Sequence, residues 1–210
     1  MYWRPIFAYI RRVGFSPEDA QDLTQEFFVA EFEDKLVPAA DPARGRFRSL
    51  LLKTLQNFLG DVRDRARTRQ RGGNARFVPI EEWMAEAPSR LSLHEEAIEN
   101  RSAEQLFDLR WAATIAEEAL RRLSVECQNK RRRKVFEKLS PYLTADRDDI
   151  PYAQLVFALR LEEPTVKRLL RDMRARYRSL LREEVGRTVV FSTEVDDEIR
   201  YLCATLANEI

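Results

Sequence analysis

Residues 151–181 read PYAQLVFALRLEEPTVKRLLRDMRARYRSLL. A short apolar segment, Tyr152 to about Leu159, stops at Arg160-Leu161-Glu162-Glu163, and helical periodicity resumes at Pro164. Proline suits the first turn of a helix, where its missing N–H leaves no bond unmade. Beyond it Val166, Leu169, Leu170, Met173, Tyr177, Leu180 and Leu181 form one stripe. Lys167, Arg171, Arg174, Arg178 and Arg182 lie on the opposite side. Two helices joined by a tight turn, the second with a basic outer face, is the helix-turn-helix pattern. In that geometry the second helix enters the major groove of DNA. Side chains near its start reach base edges, where Arg or Lys on guanine is worth roughly 1–3 kcal/mol of discrimination. Later arginines hold phosphates, which sets affinity and register rather than sequence. Taken alone, the segment also fits a basic helical hairpin whose arginines only face water.

Working outward, the rest of the chain also reads as helix. Long stretches carry the 3.6-residue period and almost none alternates cleanly. Ser16-Pro17-Glu18-Asp19 is a helix start, with a capping Ser, Pro at the first position and an acid three residues after the cap. Ala20, Leu23, Phe27 and Ala30 then form a buried stripe. A further helix is expected from Arg46 to about Arg69 on Phe47, Leu51, Leu55, Phe58 and Val62. Its Arg-rich end suits a helix C-terminus. The period is lost after Gly72-Gly73 until about Leu91, which reads as a linker with two prolines and an acidic patch. Helices are expected again near Ala103–Glu126 and Arg131–Tyr142. A last amphipathic helix, Thr193 to about Asn208, carries Val195, Ile199, Leu202 and Leu206 on one face. The expected fold is therefore all-α, with two small helical domains on a flexible tether. Their bounds are 1–71, a linker at 72–102, a helix-turn-helix domain at 103–184, and an extension at 185–210 that is expected to pack on the second domain.

Charge is segregated along this chain. The total is only +1 over 210 residues. From Met1 to Ala40 four basic residues face seven acidic ones, from Asp41 to Arg76 ten face three, and from Phe77 to Glu104 two face seven. A local positive field recruits polyanions whatever distant charges do, although any one block also fits a solvated surface. Hydrophobic residues make up 44% of the chain, enough for a core, and no apolar run approaches the roughly 20 residues that span a bilayer. The start MYWRPIFAYIRR lacks the layout of a secretory signal. Cys127 and Cys203 are far apart and His94 is the single histidine, which argues against a disulfide scaffold or a Cys/His zinc site. A reducing cytoplasm is the expected setting, with no cofactor.

Three ordered segments carry a family resemblance. Residues 19–28, DAQDLTQEFF, resemble the second region of bacterial sigma factors of the extracytoplasmic-function type, where an Asp-Leu-x-Gln-Glu-x-Phe core is typical. Residues 47–71, FRSLLLKTLQNFLGDVRDRARTRQR, are similar to the next part of that region, with Asn57, Asp61 and the arginines from Arg63 in the matching places. The stretch from Pro151 to Glu184 is similar to the fourth region. The resemblance covers nearly the whole chain, and it implies a subunit that binds core RNA polymerase and directs promoter recognition. It implies that Asp19, Asp22, Gln25 and Glu26 face the polymerase, an acidic surface that speeds encounter with a basic partner. It places Ala39–Arg46, Lys53, Thr54 and Asn57 near a base extruded from the minus-ten element, an extraction worth a few kcal/mol that base contacts recover. Arg63, Arg65, Arg67, Arg69 and Arg71 would hold phosphates upstream. Thr165, Lys167, Arg168, Arg171 and Arg174 would read or grip the minus-thirty-five element. An anti-sigma factor is a further class of partner within this family.

The chain departs from the family in places. Relatives usually carry further residues of the first helix before the position of Met1. Arg160 stands where the turn usually has Gly, so either a left-handed backbone there costs on the order of 1 kcal/mol or the turn is differently shaped. Glu162 replaces the usual capping Ser and is a poorer cap. Two other function classes compete. A free-standing helix-turn-helix regulator would have no need of the paired acidic and basic helices. A metal-dependent nuclease would have only Asp19, Asp22 and Glu26, all on one helix with no second cluster, so an enzyme is not expected.

Overall fold

Apolar spacing of three and four residues recurs through most of the chain, and the backbone follows it. The computed structural model describes residues 2–30, 46–68, 101–189 and 191–207. Among them are eight α-helices: α1 Trp3–Arg12, α2 Pro17–Phe27, α3 Phe47–Thr68, α4 Ala103–Glu126, α5 Lys130–Leu139, α6 Tyr152–Leu159, α7 Glu163–Gly186 and α8 Val195–Ala207. Single 3₁₀ turns occur at Ser140–Tyr142 and Ser192–Glu194, and no strand occurs among the described residues. The fold is all-α. No described helix is long and apolar enough to cross a membrane. The expected linker lies almost wholly outside the described residues, as do Arg69, Arg71 and the segment from Ala39 to Gly45.

The chain divides into two compact units, Met1–Thr114 with Val185–Ile210, and Ile115–Glu184. In the first unit, α1 supplies Ile6, Tyr9 and Ile10, α2 supplies Ala20, Leu23 and Phe27, and α3 supplies Leu51, Leu55, Phe58 and Leu59. The 103–114 part of α4 adds Leu106, Phe107, Leu109 and Trp111. Each such side chain contributes roughly 1.5–3 kcal/mol when fully buried. Aromatic rings lock the layers: Phe27 meets Phe58 edge-on at 5.5 Å, and Trp111 stacks on Tyr2 at 5.1 Å and on Phe107 at 6.1 Å. α1 packs on α2 through a turn at Gly14, whose φ of 104° is open to glycine without strain.

In the second unit one apolar cluster joins the helices. Ala119 and Leu123 of α4 meet Phe136 and Leu139 of α5, Leu155 of α6, and Val166, Leu170, Met173, Tyr177 and Leu180 of α7. The stripe expected on α7 is thus the side that the core takes up. α5 lies against α6. The Tyr177 hydroxyl donates to the carbonyl of Ala116 at 3.2 Å, so the one polar group on that stripe is satisfied.

The C-terminal extension corrects an expectation. Residues 185–207 belong with the first unit, not with the Ile115–Glu184 unit. The reason is ionic as much as apolar. Val195 and Leu202 of α8 are buried, and between them Glu198, 1% exposed, binds Arg48 at 3.0 Å and Arg46 at 2.9 Å. Arg48 also pairs with Asp108 and lies 4.5 Å from the ring centroid of Tyr201. The Phe47 N–H donates to the Thr188 carbonyl at 3.0 Å.

Candidate nucleic-acid interface

In the second unit α6 and α7 are joined by residues 160–162 alone. α6 ends at Leu159, and Arg160 follows with φ 54° and ψ 47°. It is the single non-glycine residue at positive φ among the described residues. The Arg160 N–H reaches the Phe157 carbonyl and the Leu161 N–H reaches the Val156 carbonyl, both at 3.3 Å, which closes the end of α6. α7 opens at Glu163 with Pro164 in its first turn. Glu162 acts through its backbone, its carbonyl accepting from the N–H groups of Thr165 at 3.0 Å and Val166 at 3.1 Å. Of the two readings left open by Arg160, the left-handed backbone is the one present.

The outer face of α7 presents cations at its N-terminal half. Arg168 is exposed and makes no hydrogen bond or ion pair with a described residue. Arg171, with 72% of its side chain exposed, pairs only with the adjacent Asp172 at 3.1 Å. Lys167 bonds Glu163 one turn back and sits 5.0 Å from the Tyr152 ring, and Thr165 is half-buried beside it. Arg174, grouped with these from the sequence, has a different task. Its guanidinium donates to the Tyr142 carbonyl at 2.8 and 3.2 Å and to the Ala145 carbonyl, all within the unit. Its role is to brace the segment after the 3₁₀ turn. Arg176 on the flank is bound by Glu126 and Glu183, and its guanidinium holds both carboxyls below the usual carboxylate range. For Glu126 its hydrogen bond is the main cause; for Glu183 the hydrogen bond from Arg122 comes first.

In the first unit the acidic face of α2 is exposed but not idle. Asp19 completes the cap: its N–H donates to Ser16 Oγ at 3.0 Å, and the Ser16 hydroxyl donates to Asp19 Oδ2 at 2.8 Å. Asp22 is half-buried, and its carboxyl is pushed above the usual range by burial and then by the neighbouring charge of Asp19. Gln25 is half-buried and Glu26 is exposed. Glu26 accepts from Arg65 at 3.2 Å, an exposed pair worth about 0.2–1 kcal/mol. Thus one member of the expected polymerase-facing set touches one member of the expected phosphate-binding set.

On α3, Lys53 and Asn57 are exposed one turn apart and Thr54 is half-buried beside them. Arg63 donates to the Val13 carbonyl at 3.3 Å and lies 5.7 Å from the centroid of the Phe15 ring. Arg67 lies on α3, and its side chain is outside the described residues. Among the described residues of the basic block, Arg46, Arg48, Arg63 and Arg65 are engaged within the unit, Arg46 and Arg48 by Glu198.

The group that residue patterns did not single out is Arg48 with Asp108, Glu198 and Tyr201. Burial works against the charge of Arg48, but the two carboxylates outweigh it and hold the guanidinium protonated. A signal was present, because Arg48 falls on the same stripe as Leu51 and Leu55, and Glu198 lies between Val195 and Leu202. Charged residues on two apolar stripes are a pairing cue, though not one that names the partner. No cluster of His, Cys, Asp and Glu able to hold a metal occurs among the described residues. No protein-family model, curated protein or solved structure matches this chain.

Proposed function

We propose that this chain is a promoter-recognition subunit of bacterial RNA polymerase, a sigma factor of the extracytoplasmic-function type. The observation that carries the reading is the α6–α7 pair, with its left-handed turn at Arg160 and its outward cations Lys167, Arg168 and Arg171. Supporting it, the first unit carries an acidic α2 beside a basic α3, as such a subunit needs for a protein partner on one side and DNA on another. Within the acidic set, Asp22, Gln25 and Glu26 are the docking group and Asp19 serves the cap. A carboxylate kept at Asp22 against burial and a like charge is more in keeping with a partner than with fold stability. Arg168 and Arg171 are the residues for the minus-thirty-five element, Lys53, Thr54 and Asn57 those for the minus-ten element.

Retention by immobilised bacterial core polymerase tests the reading. The wild type should be retained and Asp22→Arg/Glu26→Arg lost. Arg65→Ala, which takes the partner of Glu26 away but leaves the acidic face of α2 in place, should be retained as the wild type is. If the wild type is not retained and yet shifts a specific duplex on its own, the chain is a free-standing helix-turn-helix regulator instead.

A further inference from the structure

α5 carries Lys130, Arg131, Arg132, Arg133 and Lys134 in succession and Lys138 one turn later, against a single acid, Glu137. Its first turn contains no acid, although cations at a helix N-terminus are opposed by the macrodipole. Lys134 and Lys138 are both exposed and one turn apart, a like-charge spacing that destabilises a helix. Little nearby offsets this. Arg133 reaches Glu137 at 3.0 Å with both side chains more than half exposed. Arg132, Lys134 and Lys138 are exposed and make no hydrogen bond or ion pair with a described residue. α5 packs against α6 and the 3₁₀ turn at Ser140–Tyr142, neither of which contains a charge, and through Phe136 and Leu139 it also meets α4 and α7, whose Glu126 and Glu183 are taken up by Arg176.

The opposite side of α5 is fixed, because Phe136 and Leu139 are buried in the core of the unit. Lys134 and Lys138 are thus held outward by packing, whereas Arg132, four and seven residues before Phe136 and Leu139, lies on the core-facing stripe and is exposed only because it precedes the core contact. Among the exposed residues from Arg132 to Lys138 every one is charged, with no apolar or aromatic anchor of the kind that centres a protein interface. A surface of this composition suits a polyanion.

We propose that α5 is a second nucleic-acid surface, on which Lys134 and Lys138 grip the phosphate backbone of duplex DNA without reading its sequence. This rests on the function proposed for α7 only in the choice of duplex DNA among polyanions. Its task differs, since α7 discriminates and α5 adds affinity to any duplex.

The full chain is titrated with a promoter-free duplex between 50 and 200 mM salt, as wild type and as Lys134→Gln/Lys138→Gln. Each lost phosphate contact flattens log affinity against log salt by about 0.9, so the double variant should be shallower by about 1.8. Its melting temperature should rise, because the repulsion is gone, which also shows that the fold is kept. No polymerase takes part, and retention on core polymerase should be the same for both proteins, so failure of the sigma reading shows up separately. An unchanged slope, a wild type with no measurable duplex affinity at the lowest salt, or a loss confined to single-stranded RNA would overturn the proposal.

Discussion

Arg160 keeps φ at 54°, in a region that costs an L-residue about 1–2 kcal/mol, at a position where glycine would be unstrained. Arg160→Gly removes that strain but adds freedom to the unfolded chain worth about 0.4–1 kcal/mol. The net expectation is a small stabilisation, read as a higher urea midpoint with an unchanged slope. A lower midpoint would mean that the arginine side chain contributes more than its backbone costs. Asp22 gives a pH test. Its carboxyl is raised in the folded protein, by burial first and by Asp19 second, so above that range the charged form is held against the fold's preference. Asp22→Asn should raise the melting temperature at neutral pH. The gain should vanish as pH falls below about 4, where the unfolded carboxyl is itself protonated. A gain that persisted at pH 3 would point to the amide's contacts instead.

Elements show how the same residue type serves different ends. On α7, arginines at 168 and 171 face water, while Arg174, scarcely a turn further, bonds two carbonyls. Arg174→Ala leaves those carbonyls without their charged donor and should cost about 2 kcal/mol of stability by chemical denaturation. The salt slope of DNA binding should stay as in the wild type, whereas Arg168→Ala should weaken specific binding with little change in stability. A flattened slope in Arg174→Ala would return that residue to the DNA-binding set. Basic periodicity was legible in the sequence; which arginine turns inward was not. That choice depends on the segment after the 3₁₀ turn bringing its carbonyls to α7, and no pattern within the helix encodes it.

At the scale of the whole molecule, the sides of the first unit are closed by the end of the chain. Glu198 is almost wholly inaccessible and shares Arg48 with Asp108. Removing one partner of a buried pair leaves a charge without compensation, so Glu198→Ala should cost about 3 kcal/mol, near the low end because Asp108 remains. A chain ending at residue 184 should lose hydrogen-exchange protection in α1 and α3 before the 115–184 unit does. Equal protection in both would mean that the extension only decorates the first unit.

What the sequence determined by itself was local. Helical periods, the cap at Ser16 and the outward Lys167 and Arg171 of α7 each depend on residues within a few positions of one another, and the backbone realises them. Only the tertiary structure decided which unit takes the last helix, and that Arg46 and Arg48, counted within a basic block, bind Glu198. Those outcomes turn on desolvation. A charge on an apolar stripe must find a partner wherever in the chain one can be brought, and local periodicity does not contain that distance.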